Sequence, residues 1–151
     1  MKQALEKRES LNLARTYPVA PQKVWHAWTD PDALRIWWNQ AGNPAWQAEL
    51  DVRVGGSYRI VMRGPDGRDH DVRGVYREVI PYRKLAFTWT VQGSTPELPR
   101  LDGESLVTVL LKPLPGGGTE LAFRQEPIFD ESARGGWNGA LDRLGSLLQE
   151  I

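Results

Sequence analysis

The sequence predicts an α+β fold: a curved antiparallel sheet wrapped around a long C-terminal helix, with two short helices after the first strand. Three observations carry this expectation. Apolar and polar residues alternate through six segments between Trp46 and Phe123, the period of half-buried strands. From Asp130 onward the period lengthens to three and four, placing Trp137, Leu141, Leu144, Leu148 and Ile151 on one stripe, as in an amphipathic helix. Two proline-led segments of helical spacing, at Pro21 and Pro31, stand ahead of the strand run.

Leu11, Leu13 and Tyr17 open the pattern as a first strand, which Pro18 closes. Pro21 suits the first turn of a helix, where its missing N–H costs nothing, and Val24, Trp25 and Trp28 follow at helical spacing. Asp30 is placed to cap a second helix, with Pro31 at its first position and Asp32 at its positive end. Leu34, Trp37 and Trp38 give that helix an apolar stripe, and Gly42-Asn43-Pro44 is expected to end it.

Trp46, Ala48 and Leu50 begin the strands, and Gly55-Gly56 marks a turn. Tyr58, Ile60 and Met62 oppose Ser57, Arg59, Val61 and Arg63 across the next strand. After a hairpin turn at Gly64-Pro65-Asp66-Gly67, Val72, Gly74 and Tyr76 oppose Asp71, Arg73 and Arg77. Pro81 to Lys84 turns the chain into a strand with Leu85, Phe87 and Trp89 on one side. Gln92 to Gly103 is the longest irregular segment; such length suits a lid, here expected over one mouth of the trough near Trp137. Val107, Val109 and Leu111, a turn from Pro113 to Gly118, and Leu121 with Phe123 complete the run. Asp130 is expected to cap the last helix. Short turns between these strands predict a meander, whose apolar face needs the final helix as its cover. Arg59, Arg63, Arg73, Arg77 and Lys112 fall on the other, solvated face.

A length of 151 residues predicts one domain, 1–151, with residues 1–10 a flexible or helical N-terminal extension. Without cysteine, disulfides, Cys-ligated zinc and thiol catalysis are excluded. Nineteen basic and nineteen acidic side chains leave no net field to draw nucleic acid or an anionic membrane. No stretch approaches the ~20 apolar residues of a membrane span, and Met1 to Glu9 lack the apolar run of a signal peptide. A cytoplasmic protein is expected. Seven tryptophans against three phenylalanines are the unusual feature, because clustered indoles line clefts as well as cores.

Candidate chemistry is sparse. His26 lies between Trp25 and Trp28 on a helix, and His70 lies at the start of a strand in Arg68-Asp69-His70-Asp71, where solvated turn residues are favoured over a weak metal site. Neither belongs to a zinc spacing. Ser57 lacks a nucleophile elbow, and Gly55-Gly56 and Gly116-Gly117-Gly118 are turns without the Lys-Ser/Thr of a phosphate loop. No catalytic residue, metal or cofactor is therefore assigned. The apolar trough remains: Tyr58, Met62, Tyr76, Trp89, Phe123, Trp137 and Leu141 are the candidate ligand-binding residues, since pockets combine apolar walls with a few hydrogen-bonding groups. Glu78, Arg124 and Glu126 are expected to line or rim it.

The chain also resembles the START-like, polyketide-cyclase-like superfamily (SRPBCC). Within it, the resemblance is to bacterial relatives of the C-terminal domain of the activator of the heat-shock-protein-ninety ATPase. The resemblance runs from about Leu11 to Ile151. It rests on Pro21-Gln22-Lys23-Val24-Trp25-His26-Ala27-Trp28-Thr29-Asp30-Pro31, Leu34-Arg35-Ile36-Trp37-Trp38 and Gly55-Gly56-Ser57-Tyr58. It continues through Gly74-Val75-Tyr76-Arg77-Glu78-Val79, Lys84-Leu85-Ala86-Phe87-Thr88-Trp89 and Gly136-Trp137. It implies the helix-grip fold and three functional expectations. The first is binding of a small hydrophobic or aromatic molecule in the cavity between sheet and C-terminal helix. The second is a co-chaperone-like module that meets a chaperone or other protein through the exposed sheet face or Trp37-Trp38. The third, a cyclase- or hydrolase-like enzyme, is disfavoured because no acid–base set converges.

Overall fold

Residues 9–38, 47–63, 69–92, 104–128 and 132–149 are described by a computed structural model. Among them, strand β1 (Glu9–Tyr17) precedes helices α1 (Pro21–Thr29) and α2 (Pro31–Trp37). Strands β2 (Gln47–Leu50), β3 (Ser57–Arg63), β4 (Asp69–Ile80), β5 (Lys84–Gln92), β6 (Ser105–Pro113) and β7 (Thr119–Ile128) follow, and helix α3 (Ser132–Gln149) ends the series. The expected order of elements is the observed one. The first strand starts at Glu9, inside the segment expected as an extension, because Glu9 pairs with Ile128 of β7.

The strands form one seven-stranded sheet in the order β1-β7-β6-β5-β4-β3-β2, with every neighbouring pair antiparallel. A bulge in β4 sharpens its bend: Tyr76 faces Phe87, but Glu78 faces Ala86. Gly55 and Gly56 brace the bulge, the Gly55 N–H donating to the Tyr76 carbonyl and the Tyr76 N–H to the Gly56 carbonyl, both at 2.9 Å. Beyond the bulge the parity of β4 is reversed, so Val79 turns inward beside Leu85 and Glu78 turns outward.

Helix α3 lies in the concavity, with Trp137, Ala140, Leu141, Leu144 and Leu148 buried. The Tyr17 hydroxyl donates to the Leu141 carbonyl at 2.9 Å, and Arg15 donates to the Asn138 side-chain oxygen at 2.8 Å. These bonds fix the helix against β1. Asp30 caps α2 as expected, its carboxylate accepting from the Ala33 N–H at 3.0 Å. The helix stops at Trp37, before the expected Gly42, because Trp38 leaves helical geometry with φ −90° and ψ 85°. Arg143 of α3 donates to the carbonyl of Trp37 at 3.2 Å, satisfying an acceptor the helix end leaves open. The expected turn at 42–44, the hairpin at 64–67, the lid at 93–103, the Asp130 cap and the helix end at Ile151 lie outside the described residues.

One side chain departs from simple alternation. Val61 is buried although it lies on the outer face, where Asp71 and Gln47 face it from the neighbouring strands. His70 lies at the start of β4 as expected, opposite buried Met62, and is half-buried where a solvated residue was expected. No helix of the described residues is long and apolar enough to cross a membrane.

Candidate functional site

The inner face of the sheet meets α1, α2 and α3 through aromatic rings. Trp28 of α1 is the hub, with Trp37 edge-on at 4.7 Å, Trp38 at 6.0 Å, Phe87 at 6.3 Å and Trp137 stacked at 6.2 Å. Trp38 in turn stacks on Trp89 at 5.5 Å and meets Trp137 at 5.2 Å. Phe87 carries the cluster toward Tyr58 at 5.3 Å and Tyr76 at 6.1 Å. Pairs in these offset and edge-on arrangements each add about 0.5–1.5 kcal/mol beyond the area they bury.

At the sheet-ward end of the cluster is a small void, with about 10 Å³ open to the centre of a water molecule. Trp28, Leu34, Trp38, Leu50, Tyr58, Ile60, Tyr76, Leu85 and Phe87 surround it. That is room for about one water. Leu50, at the end of β2, is only half-buried. The lining holds no charged side chain among the described residues.

The polar groups of this region are mostly committed. The Tyr58 hydroxyl crosses Gly74 and donates to the Thr88 carbonyl at 2.6 Å. The Trp37 indole N–H donates to the Ala27 carbonyl at 2.9 Å, and that of Trp137 donates to the buried Gln125 side chain at 3.0 Å. Burial raises the phenol of Tyr58 well above its ordinary pKa, with Tyr76 and Glu104 adding to the effect. Burial and Asp51 raise that of Tyr76. Both remain protonated at neutral pH. The Trp28 indole N–H is buried and has no acceptor among the described residues.

Of the residues predicted from sequence, Tyr58 and Tyr76 border the void. Trp89, Phe123 and Trp137 belong to the adjoining half of the cluster, where Phe123 and Trp137 lie 4.5 Å apart and Trp89 and Trp137 5.2 Å. Met62 and Leu141 are buried in the same core but do not border the void. Trp28, Trp38 and Phe87 were missed. Phe87 carried its signal, alternating with Leu85 and Trp89, whereas Trp28 read as a helix stripe and Trp38 as a helix stripe or a partner surface.

Three expected rim residues are elsewhere. Glu78, Arg124 and Glu126 are exposed on the outer face, Glu78 paired with Lys84 and Arg124 with Glu126, both at 2.8 Å. The β4 bulge turns Glu78 outward, and strict alternation with inward Phe123 and Gln125 turns the other two. Trp37 and Trp38 are likewise not a surface for a partner: they are 0% and 4% exposed, because their rings enter the core. His26 stands on the exposed side of α1, 3.9 Å from Asp30.

A bent antiparallel sheet closed on a long C-terminal helix, with aromatic side chains between them, defines a domain of the START-like (SRPBCC) class. Residues 18–149 match the family described as activator of Hsp90 ATPase homolog 1-like protein, and the chain belongs to that family. Solved structures agree. A protein of Chromobacterium violaceum is 29% identical, covering 92% of this chain and 96% of its own, with a TM-score of 0.79. One from Rhodobacter sphaeroides is 26% identical over 95% and 93% of the two chains, also at 0.79. An uncharacterised protein of Rhizobium leguminosarum is 25% identical over 96% and 97%, at 0.78. No curated protein matches the chain. Family and fold are consistent with a ligand-binding or co-chaperone-like domain.

Proposed function

We propose that this domain binds a small hydrophobic or aromatic molecule between the sheet and α3. The observation that carries the reading is the direction of the indoles: Trp28, Trp37, Trp38 and Trp137 are buried and converge on one another instead of presenting an outer surface. A continuous aromatic wall beside a void, with neutral phenols as its polar groups, has the make-up of an apolar ligand site. The void as it stands holds about one water, so a ligand enters by displacing side chains. Leu50 and Trp89 are only half-buried where they pack against the core.

An apolar fluorescent probe tests this. Binding should quench tryptophan emission by energy transfer, and Phe87→Ala or Trp137→Ala should change its Kd several-fold. Lys112→Ala, on the exposed outer face, should leave Kd unchanged. A probe that does not bind, or binds equally to all three variants, would sink the proposal. The outer sheet face around exposed Leu106 and Leu110 would then be the place to seek a protein partner.

A further inference from the structure

We infer that the Trp28 indole N–H is the polar anchor of this site, and that the ligand is a neutral aromatic molecule carrying a carbonyl or similar oxygen acceptor. The inference rests on the apolar-ligand reading and names the chemistry of that ligand. Trp28 is 2% exposed, borders the void, and has a buried N–H without an acceptor among the described residues. Buried indoles ordinarily find one, as Trp37 and Trp137 do here at 2.9 and 3.0 Å. An orphaned buried donor forfeits its hydration without return, and an incoming acceptor recovers that loss.

The competitor is a resident water. A water needs two to four polar partners; the side-chain polar groups bordering the void are the Trp28 and Trp38 indoles and the Tyr58 and Tyr76 phenols, so a ligand oxygen must displace any water they hold. The Tyr58 proton is already given to Thr88. A carbonyl oxygen needs only a donor, and the rest of an aromatic ketone suits the apolar wall. An ionised carboxylate does not fit, because the lining has no cation among the described residues to offset its burial.

The test uses a matched pair, 9-fluorenone and fluorene, which differ essentially by one carbonyl oxygen. Both require the same displacement of side chains, so their affinity ratio isolates the acceptor. The wild-type protein should bind the ketone about five- to tenfold more tightly, the worth of one hydrogen bond. Trp28→Phe should erase that preference while still binding fluorene. In the ¹⁵N-labelled wild-type protein, the Trp28 indole resonance, assigned through its contacts with the Trp37 and Phe87 rings, should move downfield with fluorenone and not with fluorene. That measurement stands even if Trp28→Phe fails to fold. Equal binding of the two probes, or a ketone preference that survives Trp28→Phe, would overturn the anchor and leave the apolar site standing. Failure of both probes to bind would remove the site and the anchor together.

Discussion

Asp71 on the outer face of β4 shows how a single residue can hold charge against burial. Its carboxylate accepts from Arg59 at 3.0 and 3.1 Å and from Arg73 at the same distances. Burial would raise its pKa, but the hydrogen bonds from Arg73 and Arg59, and their charges, outweigh it and hold the value at about 2. The unfolded carboxyl titrates near ~4. A folded-state pKa below the unfolded one gives stability that is fully present above pH ~4 and is lost as the pH falls toward 2. The two guanidiniums are 39% and 51% exposed, so solvent screens the pairs. Asp71→Asn should therefore cost only about 1 kcal/mol at pH 7, shrinking at pH 2.5. Urea unfolding of both proteins at the two pH values checks this, and an unchanged difference would show that the contribution is not ionic.

At the scale of elements, β3, β4 and β5 are locked by one glycine. A Cβ at Gly74 would strike the Thr88 carbonyl and come within 2.6 Å of the Tyr58 ring. Its absence lets Tyr58 lie across β4 and reach the carbonyl of β5. Gly74→Ala should thus overpack the sheet and lower stability by about 1–3 kcal/mol, read as a fall in the urea midpoint. Tyr58→Ala in the Gly74→Ala background should recover part of the loss if the ring is half of the clash. If Gly74→Ala were neutral, the three strands would have to be more loosely joined than their geometry indicates. Alternation in the sequence put Gly74 on the inner face but could not show this contact, which depends on three strands meeting.

For the molecule as a whole, the helix-to-sheet closure is the main apolar seam, and Leu144 lies in it at 0% exposure. Leu144→Ala should lower unfolding stability by about 2–5 kcal/mol, the cost of a core cavity. A loss below about 0.5 kcal/mol, the range of surface changes, would mean that α3 is not clamped by the sheet. The same seam limits the ligand site: rings that fill the concavity stabilise the fold and leave about one water's room in the space beside Trp28.

The sequence by itself determined the element order, the antiparallel meander and the buried stripe of α3, because each is written in local periodicity: two for strands, three to four for helices. It determined the Asp30 cap for the same reason, since a cap is decided within four residues. Only the tertiary structure decided which aromatic residues meet. Trp28 and Trp137 are 109 positions apart in the numbering and stack because α1 and α3 enter the same concavity. It also decided the fate of Glu78, since one bulged residue in β4 reverses every side chain after it. The orphaned N–H of Trp28 could not be read in advance at all. Whether a donor finds an acceptor depends on the distances between elements, and those are set by packing.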